Sequence, residues 1–426
     1  YPGPFRTTKS HTTFGWANLT FPDGRRSYFP DRVPKTMTFD INDRDADDQY
    51  AQMYSDHVVR QINKLELPRY GLANYLAPQP HSPPTTAEGH VIEDLSRAGK
   101  RLMGFCRTNL FKRLESSGDA FVRSVERHIL RNYIVLHAIE NDLPIPIGTQ
   151  DASSLDTRVS DTDAIADNEL FEDDDNPANG TNGLNSLTTE YEYRKRAAAV
   201  YAEFSGPMQR RFRWLRHDLF VPDLADDLAK DAKILMGVLE RSGPWDPSRD
   251  AKLDRLHELL AQRHPNSKAI IFTQFADTVD YLERELSARG VTHMKGVTGD
   301  TDNPTAVAYR FSPESNDQRR TVAPADELRV LIATDVLSEG QNLQDAHIVI
   351  NYDLPWAIIR LIQRAGRVDR IGQKADEKCS WRLITWRPAI SSTAVPRTFA
   401  KPNSASARRS VFCVGGWSSR NWINTC

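Results

Sequence analysis

The densest chemistry in the chain lies in Gln363-Arg364-Ala365-Gly366-Arg367-Val368-Asp369-Arg370-Ile371-Gly372-Gln373. On a helix advancing about 100° per residue, Arg360, Arg364, Arg367 and Arg370 project within about a third of the circumference. A solvated helical face usually interleaves acids with bases for i,i+4 pairing, yet between residues 357 and 373 the only acid is Asp369. Four guanidiniums against one carboxylate call for external anions, and their planar forks suit phosphate oxygens. A second cluster, Thr334-Asp335-Val336-Leu337-Ser338-Glu339-Gly340-Gln341-Asn342-Leu343, follows an apolar stretch. Open α/β sheets bind ligands at the carboxyl ends of their strands, so this polar, glycine-bearing loop stands where a site is expected; alone, it reads equally well as a capped turn. Two smaller clusters, Thr273-Gln274-Phe275 and Thr298-Gly299-Asp300, also follow short apolar runs.

These groups need elements to hold them, and the texture of the sequence supplies such elements from Lys268 onward. Ala269–Phe272 reads as a buried strand, followed by a helix with Val279, Leu282 and Leu286 on one face and Gly290 as its stop. The alternation continues with a helix over 304–311, strands over 328–334 and 347–352, a helix from 357 to about 370 and a strand over 380–386. Short apolar strands between helices predict an α/β fold with a doubly wound, mainly parallel sheet. Upstream the pattern is helical. Phe121, Val125, Ile129, Tyr133 and Leu136 recur every three or four residues until Pro144 and Pro146, and helical spacing returns over 190–204 and at Leu253, Leu256, Leu259 and Leu260 before Pro265. Near the start, a strand over 36–39 and a helix over 48–64 are expected.

The 426 residues carry 55 Lys and Arg against 57 Asp and Glu, so no global basicity points to nucleic acid and any basic surface must be local. With 39% hydrophobic and 26% charged residues the chain belongs to the globular class, long enough for two or three domains. No apolar run reaches the roughly 18 residues of a membrane helix. No secretory leader is visible, and four scattered cysteines form neither a metal nor a disulfide framework, which predicts an intracellular protein, cytoplasmic or nuclear. Between 151 and 175 ten acids face the single Arg158, and an Asn/Gly/Thr-rich run follows, so an exposed linker is expected over 150–188. From Lys378 to Cys426 there is no acid in 49 residues, while eight are Lys or Arg and Trp381, Trp386, Trp417 and Trp422 crowd in. Such a tail suits single-stranded nucleic acid, although the preferred reading beyond about Arg387 is an aberrant translation or splice product.

Taken in order, residues 268–386 resemble the C-terminal RecA-like lobe of superfamily-two helicases and translocases, in the SWI/SNF-like and RapA-like branch. Ile270-Ile271-Phe272-Thr273-Gln274-Phe275 is similar to motif IV, Thr298-Gly299-Asp300 to the element that follows it, 333–344 to motif V and 363–373 to motif VI. Trp245-Asp246-Pro247, Asp250-Ala251-Lys252-Leu253, Phe212-Arg213-Trp214-Leu215 and Lys112-Arg113-Leu114-Glu115-Ser116-Ser117 resemble, more loosely, the helical region between two lobes. The resemblance divides the chain into a remnant of the first lobe (1–60), a helical inter-lobe region (61–265), the second lobe (266–387) and an irregular tail (388–426). It implies the C-terminal part of an ATP-dependent helicase or translocase. In such enzymes arginines of the second lobe complete an ATP site on the first, which makes Arg367 and Arg370 the candidate arginine fingers. Gly340, Asp335 and Gln363 then belong to the nucleotide side, and Thr273, Thr298 and Thr334 to nucleic-acid phosphates, with strand-end capping as the threonines' alternative role. The implied partners are nucleic acid, double-stranded DNA ahead of RNA, and a missing first lobe, with no membrane.

The departures matter as much. No Gly-x-x-x-x-Gly-Lys-Ser/Thr occurs; Gly99-Lys100-Arg101 lacks the earlier glycine, and no apolar strand precedes Glu172-Asp173-Asp174-Asp175 to aim its acids at Mg²⁺. ATP and Mg²⁺ are therefore expected in the complete two-lobed enzyme, with neither held tightly by this chain alone. The alternative is a non-enzymatic fragment that binds nucleic acid or a protein. His293-Met294-Lys295 with Asp300 fits the pattern of phospholipase D-like enzymes, but those need two copies and only one exists, and the other histidines lack zinc-ligand spacing. Arg210-Arg211-Phe212-Arg213-Trp214-Leu215-Arg216 reads as a nucleic-acid stacking surface or, preferably, as a helix with snorkelling arginines.

Overall fold

The computed structural model describes residues 18–20, 26–28, 31–42, 45, 47–147, 187–338, 342–355, 357–368 and 377–386. The acidic run over 151–175, Gly340, Arg370 and the tail beyond 387 lie outside these residues. Strands β1 (Asn18–Thr20) and β2 (Arg26–Tyr28) pair antiparallel, and β3 (Asp31–Asp40) extends well past the four residues expected of it. The helix expected over 48–64 is two, α1 (Gln49–Met53) and α2 (Asp56–Asn63). Ser55 divides them because its hydroxyl accepts from the Val58 amide, an N-cap in mid-segment.

Helix α3 (Thr86–Ser116) opens with a capping box between Thr85 and Glu88, and α4 (Gly118–Glu140) follows after one residue. That residue, Ser117, is extended at φ −154° and ψ 152°, and its hydroxyl accepts from the Ala120 amide at 3.0 Å, so one serine ends one helix and starts the next. Strand β4 (Ile145–Ile147), helix α5 (Glu190–Ser205), strand β5 (Arg213–Leu215) and helix α6 (Asp223–Ser242) complete the region. The arginine-rich run over 210–216 is therefore the end of a single 3-10 turn (Gln209–Arg211) and a strand, not a continuous α-helix. Antiparallel pairing of Ile145 with Leu215 and of Ile147 with Arg213 draws it out, and Phe212 stacks on Phe204 with ring centroids 4.4 Å apart.

The second region begins with α7 (Ala251–Glu258), capped by Asp250, and alternates as expected: β6 (Ala269–Phe272), α8 (Ala276–Ala288), β7 (Met294–Val297), α9 (Pro304–Phe311), β8 (Val330–Ala333), β9 (Ile348–Asn351), α10 (Ile358–Val368) and β10 (Glu377–Trp386). Six strands form one sheet in the order β3-β10-β9-β6-β8-β7, with β10, β9, β6, β8 and β7 joined by parallel pairings. Period-two alternation sends each central strand to two cores. Ala269, Ile271, Val330, Ile332, Ile348 and Ile350 meet Leu253, Leu256, Val279 and Leu282 on one face. Ile270, Phe272, Leu331, Ala333 and Val349 meet Ala308, Phe311, Leu343 and Val368 on the other. Each fully buried aliphatic side chain is worth about 1.5–3 kcal/mol, which is why four-residue strands suffice.

The two regions share a buried seam. Arg113 of α3 and Arg127 of α4 both donate to the carboxylate of Asp277 in the first turn of α8, at 2.7–2.9 Å. Trp245 packs its ring against the start of α4 where Gly118 has no side chain, and its indole nitrogen donates to the Tyr281 hydroxyl, which donates to Asp250 at 2.8 Å. Among the described residues no helix is long and apolar enough to cross a membrane.

Candidate functional site

The register of the sheet aligns Phe272, Ala333 and Val297 at the ends of β6, β8 and β7, so Thr273, Thr334 and Thr298 stand one residue beyond a common edge. Three residues from separate parts of the sequence thereby form a row along the carboxyl ends of adjacent parallel strands, about 5 Å apart per strand. Their side chains have different surroundings. Thr298 is half-buried. Thr273 is fully buried and its hydroxyl donates to Asp353 at 2.5 Å, which is the capping role. Thr334 is 6% exposed, and its hydroxyl has no hydrogen-bond partner among the described residues.

Across the same edge lies α10. Arg364 is 0% exposed: its Nε donates to Asp335 Oδ1 at 2.7 Å, one Nη to Asn351 Oδ1 at 3.3 Å, and its guanidinium carbon sits 5.3 Å from the Phe272 ring centroid. One side chain therefore bridges the ends of β9 and β6 and the loop after β8. Arg360 donates to the other oxygen of Asp335 at 2.8 Å. Two of the four guanidiniums expected to face outside anions are thus paired within the fold, and Asp335 is their counter-ion. Counting acids inside the arginine run missed this because the carboxylate comes from the loop after β8. The helix therefore turns its Arg360–Arg364 side inward.

The outer side of α10 is different. Gln363 is exposed and Ile359 and Ile362 are 56% and 41% exposed, whereas Arg367, in the last turn on the same face as Arg360 and Arg364, is half-buried. Arg370 and Gly340 lie outside the described residues. The clamp on Arg360 and Arg364 fixes the rotation of α10 and hence the direction in which Arg367 leaves it. Residues 251–372 match the helicase conserved C-terminal domain family. The lobe built on this sheet has the fold of a helicase C-terminal lobe. The chain is 36% identical over 113 residues to "Uncharacterized ATP-dependent helicase YqhH" of Bacillus subtilis, covering 26% of this chain and 18% of that protein. It is 30% identical over 172 residues to "ATP-dependent RNA helicase RhlB" of Shewanella amazonensis, covering 40% of this chain and 36% of that protein. The chain thus spans well under half the length of these curated relatives. Among solved structures, the C-terminal part of the Fun30 ATPase domain aligns with 84% of this chain and 86% of its own, at 15% identity and a TM-score of 0.36. The helicase domain of Pyrococcus furiosus Hef aligns with 84% of this chain and 56% of its own, at 16% identity and a TM-score of 0.34.

Two residues that matter to this lobe carry no motif signal. Asp353, directly after Tyr352 at the end of β9, is buried and accepts from Ser116, Thr273 and the Gln274 amide. Asp277 receives both Arg113 and Arg127; burial pushes its carboxyl up, but the two guanidiniums outweigh that and hold it well below the usual carboxylate range. An acid just past a buried strand, or in the first turn of the next helix, was the available clue. Two residues of the phospholipase-like pattern have partners outside it: His293 faces the Glu327 carbonyl and Lys295 pairs with Glu283. Among the described residues no group of three or more His, Cys, Asp or Glu is placed to hold a metal ion.

Proposed function

We propose that this chain is the C-terminal part of an ATP-dependent helicase or translocase of the SWI/SNF-like and RapA-like branch. The observation that supports the reading is the Asp335 clamp, in which Asp335 pairs with Arg360 and Arg364 of α10, the helix that carries Arg367, within the region matching the helicase conserved C-terminal domain family. In this reading Arg367 and Arg370 act as arginine fingers, and Gln363 and Gly340 complete the nucleotide side with Asp335 as the strut behind them. Thr298 and Thr334 contact nucleic-acid phosphates, with Thr273 buried beneath them. The nucleotide is ATP with Mg²⁺. The sequence has no P-loop, so in this reading the chain supplies the arginine side of a site whose other half is a first lobe. The proposed track is double-stranded DNA, with duplex RNA as the competing substrate because relatives such as RhlB are named RNA helicases.

Phosphate release from ATP tests the reading. The full chain is assayed alone, and with a separately expressed P-loop lobe of a related helicase, each with and without duplex DNA or RNA. The expected result is no turnover by the chain alone and nucleic-acid-stimulated turnover with the added lobe, lost by about 10³-fold in Arg367→Ala. Turnover by the chain alone rules out the half-site. Nucleic-acid binding without turnover in any mixture favours a non-enzymatic binding fragment.

A further inference from the structure

The hydroxyl of Ser116, at the last residue of α3, leaves its own helix and enters the lobe. A serine near a helix end ordinarily bonds a carbonyl one turn back. Ser116 instead donates to Asp353 Oδ2 at 2.7 Å and lies 2.8 Å from the Thr278 hydroxyl and 3.2 Å from that of Thr273. All four residues are buried. Asp353 also accepts from the Thr273 hydroxyl and, with both oxygens, from the Gln274 amide at 3.0 and 3.1 Å. Its donors are thus hydroxyls and a backbone amide. These bonds are directional, so they set the carboxylate's orientation more tightly than a mobile ammonium does.

What Asp353 orients is the short connection from β9 to α10. The next carbonyl, that of Leu354, accepts from Gln274 Nε2 at 2.7 Å and from Lys112 Nζ of α3 at 3.3 Å. The carbonyl of Asp353 itself lies 3.5 Å from an Nη of Arg364, the arginine clamped by Asp335. A continuous set of contacts therefore runs from the end of α3, through the turn that launches α10, to the guanidinium that fixes the rotation of α10.

We infer that Ser116 and Asp353 are positioning residues, through which the helical region sets the launch angle of α10 and so the reach of Arg367. The geometric part stands on the contacts alone. Its consequence for nucleotide chemistry rests on the helicase reading.

The test uses hydrogen exchange of the full chain, comparing peptides over 352–368 with reference peptides over 269–272 and 330–333. Ser116→Ala and Asp353→Asn are expected to raise exchange over 352–368 by about tenfold while the reference strands stay within about twofold. Should Asp353→Asn not fold, Thr273→Val and Thr273→Ser replace it: valine keeps the shape and loses the hydroxyl, whereas serine keeps the hydroxyl and should restore wild-type protection. Unchanged exchange over 352–368, or an equal rise everywhere, overturns the inference. In the reconstituted ATPase, Ser116→Ala should lower kcat with little change in KM for ATP. If exchange responds selectively but no mixture hydrolyses ATP, the positioning role stands and the helicase reading fails. If turnover occurs and neither exchange nor kcat responds, the reverse holds.

Discussion

Replacing Asp335 by Asn leaves Arg360 and Arg364 without their shared counter-ion while Arg364 stays fully buried. Removing one partner of a buried pair costs about 3–5 kcal/mol, so the urea midpoint of Asp335→Asn should fall accordingly, while Arg367→Ala, in the last turn, should shift it by less than about 1 kcal/mol. Equal effects of the two would mean that the clamp does not hold the helix. Glu126 gives a second prediction at this scale. It is 7% exposed, and one of its oxygens has no hydrogen-bond partner among the described residues. Burial pushes its carboxyl from 4.5 up to about 7, against the pull of Arg123 and Arg127. Because the folded chain binds this proton more tightly than the unfolded chain, its contribution to stability is full below pH 4.5 and is lost as pH rises through 7. Glu126→Gln should remove that slope and stabilise the protein at pH 8 by up to about 3 kcal/mol, read from urea denaturation across pH. An unchanged slope would sink the assignment.

At the scale of elements, local pattern and tertiary context disagree at two places. Gly118 opens α4, and helix propensity alone predicts that alanine there stabilises by about 1 kcal/mol. A Cβ at this position would overlap the Trp245 ring, so Gly118→Ala should instead destabilise by about 1–3 kcal/mol, and Trp245→Ala should remove much of that penalty when the two are combined. Thermal denaturation of the single and double variants checks both signs. The other place is 210–216, where the run is drawn out into a strand at Arg213–Leu215 because Ile145-Pro146-Ile147 offers a partner edge. The central strands and their helices were legible because β6 and β8 are apolar throughout, and β9 is apolar up to Asn351, so that they fill two cores, a pattern that needs no distant residue to recognise. The split of 48–64 into α1 and α2 was not, because one serine side chain decides it.

At the scale of the whole molecule, the helical region and the lobe meet through charge as well as apolar packing. Arg113 and Arg127 reach Asp277 from two helices, and Lys252 donates to the carbonyls of Glu115 and Ser116 that end α3. The depressed carboxyl of Asp277 contributes stability above its ordinary value of 3.8, lost as pH falls toward its folded value. Asp277→Asn should therefore weaken the seam at neutral pH and split a single calorimetric transition into two, with the helical region melting apart from the sheet. A single transition at an unchanged temperature would show that apolar packing alone holds the seam. By itself the sequence determined the alternation of strands and helices, the order of the helicase-like motifs and the absence of a P-loop, because these are properties of neighbouring residues. Only the tertiary structure decided that Arg360 and Arg364 turn inward onto Asp335, that Thr273 is a buried cap, and that Ser116 and Asp353 touch. Those outcomes depend on partners 25 to 237 residues away, which the fold brings within hydrogen-bond reach and local pattern does not encode.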